Sequence, residues 1–194
     1  MLALRPRGRH GLFFIDGHAD FYQPEASTTG EVADMDLAIV SGRGPTILTD
    51  IEGRNPLVRD EDIVAFGQRD AEEASEAGSQ NIAGTGIHAL DLASIHAAGV
   101  SVSAECGLAF LSPEVAGFWI HLDADVLDDA IMPAVDYRLA GGLTFNELSK
   151  LLRILIRSNR AVGMSVAIFN PTLDPDGEIA ASFVRCLTQG LVGG

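Results

Sequence analysis

Positive charge is scarce in this chain. Its 194 residues carry 13 Lys and Arg against 27 Asp and Glu, a formal net charge of −14. Such a balance repels polyanions, which excludes nucleic acid and anionic membranes as expected partners. The one basic cluster, Arg5, Arg7, Arg9 and His10, is short and runs straight into apolar sequence, so it reads as a solvated turn. Cysteine is nearly missing: Cys106 and Cys186 cannot build a disulfide framework. Both fall in predicted helices, as small buried hydrophobes of a reducing cytosol. No apolar run is long enough to span a bilayer, and the opening MLALRPRGRH lacks the apolar core of a signal peptide. The expectation is therefore a cytoplasmic protein with a small-molecule substrate. Disorder is excluded by a hydrophobic content of 47%, and the length suits one domain with a substantial core.

What is present is concentrated first in Leu12-Phe13-Phe14-Ile15-Asp16-Gly17-His18-Ala19-Asp20. Four consecutive apolar residues have no polar face and predict a buried strand. If the chain stays extended beyond it, Asp16, His18 and Asp20 share one side. Two carboxylates and an imidazole suit a divalent cation such as Mn²⁺, Zn²⁺ or Fe²⁺. Gly117-Phe118-Trp119-Ile120-His121-Leu122-Asp123-Ala124-Asp125 repeats the design, an apolar strand ending in acids two apart. Alone, either motif reads equally well as a polar turn or a helix cap. Together, at the carboxyl ends of neighbouring strands, they would bring five ligands to one place. Clustered carboxylates repel unless cations compensate them. Five ligands exceed the needs of one small ion and point to a metal pair about 3.5–4 Å apart.

Between these motifs the pattern alternates. Tyr22 to Glu31 is a Pro/Ser/Thr/Gly-rich loop, and Met35 to Val40 is a short helix. Gly44 to Asp60 is irregular, Ile63 to Gly67 is a buried strand, and Asp70 to Gln80 is polar helix or loop. Ile87 to Ala98 holds a strand and a small helix, with His88 and His96 at the surface. Ser101 to Leu111 is a helix. Thr144-Phe145-Asn146-Glu147 is a capping box opening a helix through Ile156, with Leu148, Leu151, Leu152 and Leu155 as its apolar stripe. Ala161 to Phe169 is the last strand and Ile179 to Leu187 a closing helix. Strands alternating with helices predict an α/β fold of three α-β-α layers, a mainly parallel sheet covered on both faces.

The motifs also carry a family resemblance. Ile15 to Asp20 resembles the D-A-H-x-D motif of the ureohydrolases, the arginase–agmatinase–formimidoylglutamase family. His121 to Asp128 is similar to that family's S-x-D-x-D-x-x-D-P motif. Pro133-Ala134-Val135 with Gly141-Gly142-Leu143-Thr144, then Asn170-Pro171-Thr172-Leu173-Asp174, resemble its later segments in the same order. The resemblance implies an arginase-like fold and two Mn²⁺ ions per subunit. It further implies hydrolysis of linear C–N bonds in amidine or guanidino compounds by a bridging hydroxide. Asp16 and Asp123 would bridge the metals. Asp20 would bind one and position the nucleophile, while His18 and Asp125 would bind the other. Asp20 and Asp125 are the catalytic candidates, and Asp128 would support the set from outside. Gly67-Gln68-Arg69-Asp70 resembles the family's G-x-R-D, which makes Asp70 and Glu72 candidates for the substrate pocket.

Three departures stand out. The family's G-G-D-H-S or G-G-D-C-S segment, which supplies a ligand upstream of the first motif, is missing. Ile168 stands where arginine-directed relatives carry a glutamate, and an apolar side chain cannot pair with a guanidinium. Ala33 replaces a proton-shuttling histidine, while Glu31, Asp34 and Asp36 in that loop are candidate contacts for a cationic substrate. The metal core is thus kept and substrate recognition altered; an inactive protein acting as a metal-binding or oligomerisation module is the alternative. Because an apolar strand begins at Leu12, the chain is expected to be part of a larger fold, a partial arginase-like domain over residues 1–194. One metal position is then short of a ligand, and an open sheet edge invites homo-oligomers.

Overall fold

The computed structural model describes residues 1–192. Five strands form one sheet: β1 (Gly11–Ile15), β2 (Ile63–Phe66), β3 (His88–Leu90), β4 (Phe118–Asp123) and β5 (Ala161–Ala167). All pairings are parallel, in the order β3-β2-β1-β4-β5. The central strand β1 is buried along its whole length, as unbroken apolar sequence requires when both faces are covered. From β1 the chain winds outward through β2 and β3, then crosses to β4 on the other side. The order therefore reverses between β1 and β4, the place where open parallel sheets bind ligands at their strand ends. Ile15 pairs with Leu122, so Asp16 comes level with Asp123.

The two faces are covered unequally. Phe13, Ile15, Val64, Phe66, Phe118, Ile120 and Leu122 build the larger core. Four helices close it: α4 (Leu92–Ala98), α5 (Val100–Phe110), α6 (Phe145–Arg157) and α7 (Glu178–Val192). The opposite face, with Leu12, Phe14, Ile63 and Ala65, is covered by the short helix α1 (Asp36–Val40) through Leu37 and Ala38, and by irregular chain including Phe21 and Val58. The remaining α-helices, α2 (Thr46–Thr49) and α3 (Ala71–Glu76), are single short pieces. Helix α6 forms for the reasons its sequence gives. Thr144 Oγ1 accepts the Glu147 N–H at 3.2 Å and Glu147 Oε2 accepts the Thr144 N–H at 2.9 Å. Leu148, Leu151, Leu152 and Leu155 are all fully buried, each contributing about 1.5–3 kcal/mol relative to exposure.

Several expectations are corrected. Arg9 is no part of a solvated turn: its Nη2 donates to Oδ1 of the buried Asp62 at 2.8 Å, because a buried carboxylate needs a paired cation. His10 is buried too, with Nδ1 on the Gly8 carbonyl at 2.9 Å. His88 is only half-exposed and stacks on Phe110 at 4.6 Å. Cys186 is buried but Cys106 is exposed. Strand β5 stops at Ala167, since Ile168 turns to φ 67°; as an edge strand it leaves Val162 and Val166 exposed. No single helix among the described residues is long and apolar enough to cross a membrane.

Candidate metal centre

The acid motifs are gathered by turns and not by continued strand. Strand β1 ends at Ile15, where Asp16 Oδ1 accepts the His18 N–H at 2.7 Å; Asp123 Oδ1 likewise accepts the Asp125 N–H at 2.9 Å. A side-chain acceptor two residues back offers the backbone an alternative to the sheet ladder. This bends both motifs over the strand ends instead of alternating them along an extended chain. The two loops are tied together by Gly17 N–H on Asp125 Oδ1 at 3.1 Å and His18 Nδ1 on Asp125 Oδ2 at 2.9 Å. A Cβ on Gly17 would lie 2.5 Å from Arg69 Nη1 and 2.8 Å from the Asp125 carbonyl, so a side chain here would push these groups apart. Asp20 sits in the left-handed region at φ 45°, which short acidic side chains tolerate.

Two ligand groups result. One ligand atom from each of Asp16, His18 and Asp125 lies within 4.8 Å of the others, and so does one from each of Asp16, His121 and Asp123. Asp16 belongs to both. It is 1% exposed, and its Oδ2 is buried without a hydrogen-bond partner. Desolvation, reinforced by Asp20, Asp123 and Asp125, pushes its carboxyl well above the usual range. Burial does the same to Asp20, with Asp36 the leading neighbouring charge, and pushes Asp123 up to about 8, aided by Asp125. Burial opposes ionisation of His18 and Asp125 also. The hydrogen bond and charge attraction between them, joined by the charges of Asp70 and Asp123 on His18 and by the Gly17 N–H on Asp125, together outweigh it, so His18 is raised and Asp125 lowered. Desolvation lowers His121 to about 4, leaving it neutral. These carboxylates cannot all be charged at neutral pH without added positive charge. An orphaned Asp16 oxygen among carboxylates and neutral imidazole fits divalent cations of the Mn²⁺, Zn²⁺ or Fe²⁺ type.

The centre lies at the base of a cleft of about 270 Å³. Its wall includes Glu31, Asp34, Asp36, Asp70, Glu73, Tyr22, Tyr137, Ala33 and Ile168, with no Lys or Arg. Glu31 accepts the Tyr137 hydroxyl at 2.7 Å, and Asp34 accepts those of Ser27 and Thr29. Asp70 Oδ2 accepts the Ala19 N–H at 3.1 Å, steadying the first motif, while its Oδ1 is buried and unpartnered. Glu72 is exposed and outside the cleft; its neighbour Glu73 takes the place. Asp128 stands away from the ligands, where its two oxygens accept the Ala130 and Gly141 N–H groups.

Two residues escaped sequence reasoning. His121 stands two positions before Asp123 on β4, so both side chains point to one face of the sheet, and that spacing was the available signal. Arg69 spans the loops behind the site, donating through Nη2 to the carbonyls of Asp125 at 2.7 Å and Leu139 at 2.8 Å and through Nε to Ala140 at 3.1 Å. Only the three-dimensional meeting of those loops reveals it.

Comparison with known proteins gives the family. Residues 2–191 match the Arginase family. A Staphylococcus aureus arginase is 30% identical over 175 residues, 90% of this chain and 56% of its own. A Bacillus cereus arginase structure superposes with a TM-score of 0.83 at 27% identity, covering 94% of this chain and 62% of that one. Formimidoylglutamase from Bacillus subtilis shares the fold, with a TM-score of 0.74 at 16% identity, covering 98% of this chain and 54% of its own. The chain thus spans about three-fifths of the length of these relatives. A parallel α/β sheet, reversing its order beside paired Asp/His ligand groups, and a match along nearly all its length make this chain a member of the arginase family.

Proposed function

We propose that the protein is a binuclear metal-dependent hydrolase of linear C–N bonds in amidine or guanidino compounds. The observation that carries this reading is the pair of ligand groups sharing Asp16 at the switch point of the sheet. Asp16, His18, Asp20, Asp123 and Asp125 would hold two Mn²⁺ ions per subunit. A bound metal pair supplies a water-derived nucleophile near neutral pH and stabilises charge developing on the substrate. The chain's own groups do the rest. Asp20, aimed into the cleft, orients the attacking water. Asp125 keeps His18 in place through their 2.9 Å contact. A wall of carboxylates without Lys or Arg favours a cation and disfavours a substrate carrying its own carboxylate. Ile168 and Ala33 add apolar surface to the cleft wall.

A second reading, a non-catalytic metal-binding or oligomerising member of the family, draws on those same two residues, which offer neither a guanidinium acceptor nor a proton shuttle. Elemental analysis with a panel of guanidino and amidino compounds separates the two. Two bound ions with turnover of a cationic amidine is the expected result. Bound metal without turnover of any member favours the second reading, and absence of metal defeats the hydrolase and leaves only the oligomerising form of the second.

A further inference from the structure

We propose that His121 is a metal ligand through Nε2, completing with Asp16 and Asp123 a position distinct from the one built on His18 and Asp125. This rests on the binuclear reading above and names a ligand of it. Three strands fix the ring at one register row, since Phe14 pairs with His121 and His121 with Ser165. Phe14 of β1 stacks on the imidazole at 4.7 Å with planes 12° apart, which sets the ring's plane. Ser165 of β5 lies 3.2 Å from Nδ1. The Trp119 indole N–H, a donor only, reaches the same Ser165 oxygen at 3.1 Å. Ser165 has a second lone pair for Nδ1–H, and in that tautomer Nε2 carries a bare lone pair. An imidazole that donates from one nitrogen to a fixed partner and offers the other to the site is the arrangement that orients metal-bound histidines.

The open nitrogen faces acids. Nε2 is 3.9 Å from Asp36 Oδ2, and a ring nitrogen lies within 4.8 Å of ligand oxygens of Asp16 and Asp123. Independently, the unpartnered buried Oδ2 of Asp16 requires a positive or donor group inside the same cluster. Asp16, common to both groups, is then the carboxylate shared by two ions, one with His18 and Asp125, the other with His121 and Asp123. The position expected from sequence to be short of a ligand has His121 beside it.

The test uses the full chain, Mn²⁺ and Zn²⁺. Metal-free protein is titrated with Mn²⁺, stoichiometry being read by elemental analysis after desalting and by electron paramagnetic resonance of spin-coupled pairs. Wild type should hold two ions. His121→Asn should hold one, lose the coupled signal and keep the His18 position; His18→Asn should lose the other. Ser165→Ala, which leaves the ligands intact, should weaken one ion by about 10–100-fold. Ring-nitrogen NMR of ¹⁵N-histidine protein should show His121 as the Nδ1–H tautomer, with its Nε2 resonance moving on Zn²⁺ addition. Two ions at unchanged affinity in His121→Asn, or an Nε2 that keeps its proton when Zn²⁺ binds, overturns the assignment. Should His121→Asn fail to fold, Ser165→Ala and the NMR titration decide alone. Turnover of an amidine panel is scored separately, so a wild type with two ions and His121 bound but no turnover defeats the hydrolase reading and leaves this one standing.

Discussion

At the scale of single residues the centre is asymmetric. Asp16 belongs to both ligand groups, and His18 to one. Asp16→Ala is therefore expected to strip both ions, whereas His18→Ala leaves one; equal metal retention after desalting would contradict the shared role. A second prediction concerns Ile168, held at φ 67° in a tight turn closed by the Phe169 N–H on the Ala167 carbonyl at 2.9 Å. A β-branched residue in that region is strained, and such strain gathers at functional walls. With Ile168 and Ala33 lining the cleft, arginine should be a poor substrate. Urea release from it at ordinary enzymatic rates, roughly 1–10³ s⁻¹, would show the wall to be misread. The motif acids were legible because the motif occurs twice, each time at the end of an apolar run; either one alone reads equally well as a turn or a cap. His121 carries the same two-residue spacing, but its orientation is not legible from it, because Phe14 and Ser165, which set the ring, come from strands that only pairing brings alongside. Glu73 and not Glu72 lines the cleft, because which side of α3 faces it depends on docking and not on spacing.

Among the elements, α6 is the clearest case of local sequence agreeing with tertiary need. Its capping box satisfies N–H groups that the helix cannot, and its leucine stripe closes the larger core against α5 and α7. Thr144→Ala should cost about 1 kcal/mol, read as a lower urea midpoint with an unchanged slope. Thr144→Ser should restore most of it; no difference between Thr144→Ala and wild type would mean the cap is inert. The strands were legible for a related reason. Unbroken runs such as Phe13 to Ile15 admit no amphipathic alternative, and the alternating order with helices then dictates a parallel sheet. Less was legible of the smaller face. Phe21, Val58 and Ile87 cover it from irregular chain, where no period announces burial. The end of β5 was also missed, for the residues up to Phe169 keep a strand-like composition while the backbone turns at Ile168.

For the molecule as a whole, the largest electrostatic liability is the acid cluster set in a chain of net charge −14. In the metal-free protein Asp16 and Asp20 are pushed above the ordinary carboxylate range and Asp123 to about 8. A carboxyl raised on folding binds its proton more tightly in the folded state than in the unfolded one. Its stabilising share is complete below the unfolded value of 3.8 and is lost as pH rises through the folded one, about 8 for Asp123. Metal-free protein should therefore melt at a lower temperature at pH 8.5 than at pH 5.5. In a chain of this size each kcal/mol lost is worth about 2–4 °C. General acid repulsion acts in the same direction, so the decisive comparison is Asp123→Asn, which cannot ionise there and should show a shallower fall across that window. Added Mn²⁺ should reverse the loss at pH 8.5, by about 2.7 kcal/mol at a hundred times its Kd, and do little at pH 5.5, where protons already occupy the ligands. An unchanged melting temperature from pH 5.5 to 8.5 without metal would mean that the cluster carries no such strain, and the electrostatic argument for bound cations would fall with it.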